Sequence, residues 1–310
     1  MSARGHAAGV AAVLVTSVLW GTTGTAATFA PAAGPLAIGA AALGVGGLLQ
    51  AVVAVPALRR EWPRLRADGR TVWVGAAAVA VYPLAFYSSM RLAGVAVGTV
   101  VSLASAPLAS GLLERVVEGR TLSRRWAVAA ALGIVGSALL CLSGPGGAAA
   151  STPAVLGGVG LGLVAGSTYA TYSWTVHRLL WRRVGRAAAM GAVFGLGGAL
   201  LLPVLLLTGA PLVASPQAFG VAAYMALVPM FLGYLLFGYG LTHVTPSTAT
   251  TLTLAEPAVA ALLAVVVVGE RLPAVGWMGL ATIAAALVVL APRTTPRPTG
   301  AVRGAATDAR

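Results

Sequence analysis

The chain has 310 residues, 58% hydrophobic and only 9% charged, with a mean hydropathy of +0.91. A soluble domain carries about a quarter charged residues, so water is not the main solvent and a polytopic membrane protein is expected. Its basic balance is 20 arginines and no lysine against 7 acids. The arginines lie in short loops between apolar runs, as membrane topology signals do, and no nucleic-acid partner is expected. The lone Cys141 excludes an intrachain disulfide and reads as a small buried hydrophobe.

Ten apolar runs, each of about 18 to 25 residues, follow in chain order and are long enough to cross a bilayer core. They span 7–29, 35–57, 72–91, 95–114, 126–143, 155–176, 187–208, 217–241, 246–268 and 274–291. The first has small residues near its end, as a signal peptide would, but the repeat described next requires it as a helix. With the N-terminus inside, 18 of the 20 arginines fall on the cytoplasmic side, leaving Arg91 and Arg271 outside. Both termini are therefore expected in the cytoplasm. Residues 293–310 read as a disordered cytoplasmic tail, and Trp73, Trp126 and Trp277, at run starts, as interface anchors.

Shifting the chain by 150 residues lays ASAPLASGLLERVVEGRTL (104–122) over LAEPAVAALLAVVVVGERL (254–272) without a gap, with 7 of 19 positions identical. Pro107 meets Pro257, Gly119 meets Gly269 and Leu122 meets Leu272. Upstream, FYSSMRLAGVAVGT (86–99) lies over LFGYGLTHVTPSTA (236–249). Two five-helix halves follow, 1–145 and 150–292. Because five is odd, the second enters the membrane from the other side, as in inverted-repeat transporters. The expected fold is an all-α membrane protein of about ten transmembrane helices in two inverted five-helix repeats.

These stretches, together with VLWGTTGTAATF in the first run, resemble the drug/metabolite transporter superfamily, specifically its EamA-type branch. The resemblance implies a permease that moves metabolites such as amino acids, or drugs, across the inner membrane, often outward. The first half departs from the pattern, with Glu118-Gly119-Arg120 where the second reads Gly269-Glu270-Arg271.

No enzyme chemistry, cofactor or metal site is read from the chain. A nucleotide-binding P-loop needs a lysine, which is absent, and there is no H-E-x-x-H. Gly158, Gly162 and Gly166, four apart inside an apolar run, suit close helix packing, as do Gly191 and Gly195. Of the acids, Glu61, Asp68, Glu118, Glu270 and Asp308 read as solvated, and Glu114, beside Arg115, as snorkelling to the cytoplasmic surface.

Glu256 is the exception. A helix starting at Thr245-Pro246 puts it about ten residues in, roughly 15 Å deep and near the bilayer midplane. Thr248, Ala249 and Thr253 lie below it on nearly the same face. Pro257 lacks an N–H, which is expected to free the carbonyl of Thr253 for a substrate or water. Pro107 repeats the kink without the acid, so two symmetric hinges and one singular charge are expected. Trp20, Tyr82, Phe86, Tyr87, Tyr169, Tyr172, Tyr234 and Tyr239 are the further cavity candidates, since buried hydroxyls and indoles need partners. The functional expectation is a secondary transporter exporting a small metabolite or drug-like compound by alternating access, with Glu256 as a substrate or proton site. For Glu256 the alternative is a fixed hydrogen bond that only joins helices. For the chain it is a non-transporting scaffold or a lipid-handling protein.

Overall fold

Hydrocarbon offers backbone groups no partners, and a helix pairs them locally. The computed structural model describes residues 3–142, 152–263, 265, 266 and 272–290, and within them every regular element is helical. Residues 143–151 between the halves, Gly269, Glu270, Arg271 and the tail from 293 lie outside the described residues, as does the side chain of Cys141.

The first run is α1 (Ala3–Gly21) with the short α2 (Thr23–Ala27). The second is continuous from α3 (Pro35–Gly39) through a π-wound turn (Ala40–Val45) into α4 (Gly46–Ala67). Then come α5 (Gly69–Ala93), α6 (Val95–Glu118), α7 (Arg124–Leu142), α8 (Thr152–Trp181) and α9 (Arg186–Thr208). The short α10 (Ala210–Val213) leads to α11 (Pro216–Met225), which passes through a second π-wound turn (Ala226–Leu232) into α12 (Gly233–Leu241). The chain ends with α13 (Pro246–Leu252), α14 (Ala255–Leu263) and α15 (Ala274–Leu290). Seven of these runs are long and apolar enough to cross a membrane: Arg4–Ala27, Pro35–Ala67, Gly69–Ala93, Val97–Glu118, Pro153–Trp181, Arg186–Thr208 and Pro216–Leu241.

Local signals set the boundaries. Ser215 and Thr245 accept from the backbone N–H three residues on, each with a proline at the first helical position. The structure corrects the ninth run, which is not one helix. The chain leaves the helical ladder at Thr253 and Leu254, dividing α13 from α14. Pro107, by contrast, lies inside an uninterrupted α6, so the helix is broken beside only one of the two prolines.

The two halves pack chiefly on each other. α5 lies on α8, α4 on α9 and α7 on α15, while α1 packs on α12 and α14, and α6 on α8 and α13. Exchanging each element for the one about 150 residues away maps this pattern on to itself: α5 with α8 becomes α12 with α1, and α6 with α8 becomes α14 with α1. The α4–α9 seam is close because Gly191 and Gly195 face Ala54 and Ala51, where an added Cβ would overlap the alanine methyls.

Three arginine-bearing loops collect at one end. Arg182 pairs with Asp68, Arg64 donates to the Arg183 carbonyl at 3.4 Å, and the Arg120 guanidinium lies 4.4 Å over the Trp181 ring.

Candidate substrate cavity

The largest side chains with almost no exposure are Tyr169, Tyr172, Tyr234, Phe194 and Phe237, so the centre of the bundle is aromatic. Trp20 at the end of α1 enters this cluster with its ring 4.9 Å from that of Tyr234, and its indole N–H donates to the Pro229 carbonyl at 3.0 Å. Gly233 lies against the indole nitrogen, where a side chain would displace it. Glu256 reaches the same place because α1 and α14 cross at Gly21, whose Cβ position lies 3.1 Å from the Glu256 carbonyl oxygen.

A small enclosed cavity remains between these groups, about 20 Å³ in volume, room for a water or two. Its lining includes Glu256, Trp20, Tyr82, Phe86, Tyr87 and Tyr234, with Gly39 at the end of α3, Leu43 from the first π-wound segment and Met230 from the second. π-wound turns recur at functional sites because they put an extra residue on one face of a helix. Among the described residues, no hydrogen-bond or ion-pair partner is present for the Glu256 carboxylate or for the hydroxyls of Tyr82 and Tyr87. Three polar groups without partners thus converge on one aromatic-walled space.

Other candidates support the wall from behind. The Tyr172 and Tyr234 hydroxyls pair at 2.8 Å. Thr253 donates its single hydroxyl proton to the Thr250 carbonyl at 3.0 Å, so the Tyr169 hydroxyl, 2.9 Å away, must be the donor to Thr253. The carbonyl of Thr253 is not free as expected: it accepts from the Glu256 N–H at 2.9 Å, in the turn that joins α13 to α14. Tyr239 does not reach the cavity. Its ring lies 4.7 Å from His243 and 5.4 Å below the Arg186 guanidinium.

The acids at the arginine-rich end are corrected. Glu114 does not snorkel: it is 3% exposed and accepts from the Ser247 N–H at 2.7 Å and the Ser247 hydroxyl at 3.0 Å. It caps the N-terminus of α13 from across the repeat. Glu61, also buried, accepts from the Gly185 N–H at 2.9 Å, just before α9. Glu118 accepts from the Trp174 indole at 3.0 Å, and Asp68 pairs with Arg182. Trp126 is more than an interface anchor, since its indole donates to the Ser247 carbonyl at 3.1 Å. Trp73 and Trp277 are exposed, as anchors are.

A helical bundle with seven apolar runs of membrane length among the described residues defines a multi-pass membrane protein. The chain belongs to the EamA-like transporter family, which it matches twice, over residues 7–142 and 156–291. It is 33% identical over 291 residues to the uncharacterized transporter YwfM of Bacillus subtilis (strain 168), covering 91% of this chain and 93% of that one. A solved structure described only as the crystal structure of a protein shares the fold, with a TM-score of 0.72, 19% identity, and coverage of 89% of this chain and 94% of the other. The resemblance to the EamA branch of the drug/metabolite transporters is therefore borne out.

Proposed function

We propose that this protein is a secondary transporter that works by alternating access and moves a small organic solute bearing an ammonium group outward across the inner membrane. Amino acids and amine-containing drugs both fall within that class. The observation that carries this reading is the Glu256 carboxylate, which lines one cavity with Tyr82, Tyr87, Trp20, Phe86 and Tyr234 and, like the Tyr82 and Tyr87 hydroxyls, has no partner among the described residues. An ammonium group satisfies the carboxylate and hydroxyls directly, and π faces attract the cation. Glu256 contacts the solute or carries an exchanged proton. Trp20, Tyr82, Tyr87 and Tyr234 form the wall, while Thr253, Tyr169 and Tyr172 position it. Tyr239 is left out. The helix break at Thr253 and Leu254 is the hinge we assign, in place of Pro107.

The same reading takes 1–145 and 150–292 as two inverted repeats with ten crossings and both termini cytoplasmic. The contact pattern that survives exchange of the halves and the gathering of the arginine loops at one end support it. The test is a solute screen in sealed proteoliposomes, with matched ammonium, neutral and anionic solutes. Accumulation or exchange of ammonium-bearing solutes alone is expected. Flux of only anionic solutes would overturn the ammonium preference, and no solute flux while labelled lipid crosses between leaflets would replace this reading with the lipid-handling one.

A further inference from the structure

Outside the central cavity, a crevice of about 160 Å³ opens between α4, α9 and α12, lined by Gln50, Val53, Ala54, Arg186, Met190 and Leu235. Gln50 is 2% exposed, and neither its amide nitrogen nor its amide oxygen has a hydrogen-bond partner among the described residues. A primary amide buried with both ends unpaired is rare in a folded interior and costly in an apolar one. At the rim, Arg186 is exposed at the start of α9. Its guanidinium lies over the Tyr239 ring. Each described acid at this end is engaged elsewhere: Glu61 with Arg60, Arg64 and Gly185, Asp68 with Arg182, Glu118 with Arg120, and Glu114 with Ser247. Arg186 is thus left without a protein anion among the described residues.

The vertical order of these groups matters. Gly191 on α9 packs against Ala54 and the Gln50 carbonyl, so Gln50 lies more than one helical turn deeper than Arg186. A positive charge at the rim and an unsatisfied amide below it match the order of groups in a membrane lipid: phosphodiester at the interface, acyl ester carbonyls beneath. We propose that the Gln50–Arg186 crevice is a binding site for an anionic phospholipid. Its phosphodiester accepts from the Arg186 guanidinium, and an acyl ester carbonyl accepts from the Gln50 amide. Water held by the ester region serves the amide oxygen. The apolar walls, Val53 and Leu235, take the upper part of an acyl chain. Basic pockets between membrane helices hold lipid headgroups by the same combination of charge and shape.

The experiment is thermal unfolding of delipidated full-length protein in detergent, titrated separately with phosphatidylglycerol, phosphatidylcholine and sodium phosphate. Wild type should be stabilised by phosphatidylglycerol, less by phosphatidylcholine, and not by phosphate. Gln50→Leu should respond to phosphatidylglycerol about tenfold more weakly in half-saturating concentration. Arg186→Gln, a change at an exposed position, should show the same loss even where Gln50→Leu folds poorly. A phosphatidylglycerol response undiminished from wild type in both variants would place the lipid elsewhere and overturn the proposal. So would an equal effect of free phosphate, or no lipid response in wild type, which would leave the crevice to water alone.

Discussion

Helix α6 and the α13–α14 pair occupy equivalent places in the two halves, yet one is whole and the other broken. Pro107 passes without interrupting α6, so a proline at this position does not by itself open the helix. What differs is the residue run before Pro257. Thr250, Thr251 and Thr253 turn their hydroxyls back on the carbonyls of Pro246, Ser247 and Thr250. Such back-bonding competes with the helical ladder, and the chain departs from it at Thr253 and Leu254. In α6 the corresponding stretch carries Leu103 and Ala104, and only Ser105 bonds back, to Ser102. The second difference is the acid: Glu256 faces the cavity where its counterpart Ala106 is fully buried. Two copies of one design have therefore diverged, one into a structural helix and the other into a broken helix that presents a carboxylate.

The comparison can be broken most severely by giving α6 the missing acid. Ala106→Glu buries a carboxylate at a fully buried position packed against Gly166, at a cost of several kcal/mol. The expected outcome is loss of monodisperse protein on size-exclusion chromatography. A folded variant with normal yield would show that α6 also borders polar space. Next in size, Glu114→Ala removes the cap that seats α13, costing about 1–3 kcal/mol, read as a drop of several degrees in Tm. Glu114→Gln should recover part of it, because an amide oxygen still accepts from Ser247.

Smaller effects are expected at the cavity wall. Tyr82→Phe and Tyr87→Phe each remove a hydroxyl that has no partner among the described residues, so stability should not fall. The apparent affinity for an ammonium solute should drop roughly fivefold, equivalent to ~1 kcal/mol. Tyr239→Phe, away from the cavity, should leave affinity unchanged in the same flux measurement. Smallest of all, Pro107→Ala should alter transport by no more than about twofold, since α6 is already continuous.

Much of the fold was legible because membrane helices declare themselves by length, caps and flanking arginines. Thr245-Pro246 marked the start of α13, and the glycines at 191 and 195 marked a close seam. The central aromatic residues were legible by type, but their faces were not all used. Tyr234 and Tyr239 are five residues apart, a rotation of roughly 140° on a helix, so both could not readily face one cavity. Tyr169 and Tyr172, three apart, share a face and both pack there. The roles of Glu114 and Glu61 are hidden in the sequence for a different reason. Each lies beside or near arginines in sequence, but the N–H it accepts from lies 133 or 124 residues away in the other half. No local pattern encodes that partner. The break at Thr253 was masked by the proline four residues on, the more familiar cause of a kink.

The central claim is that Glu256 serves the solute and not the fold. Its most direct test is exchange of a labelled ammonium solute identified by the vesicle screen, comparing wild type with Glu256→Gln in proteoliposomes of matched protein content. Loss of a charged hydrogen-bond partner is worth about 1.5–3 kcal/mol, so exchange by the variant should fall about tenfold to a hundredfold, with Tm unchanged or raised. Undiminished exchange by a folded Glu256→Gln protein would contradict the account.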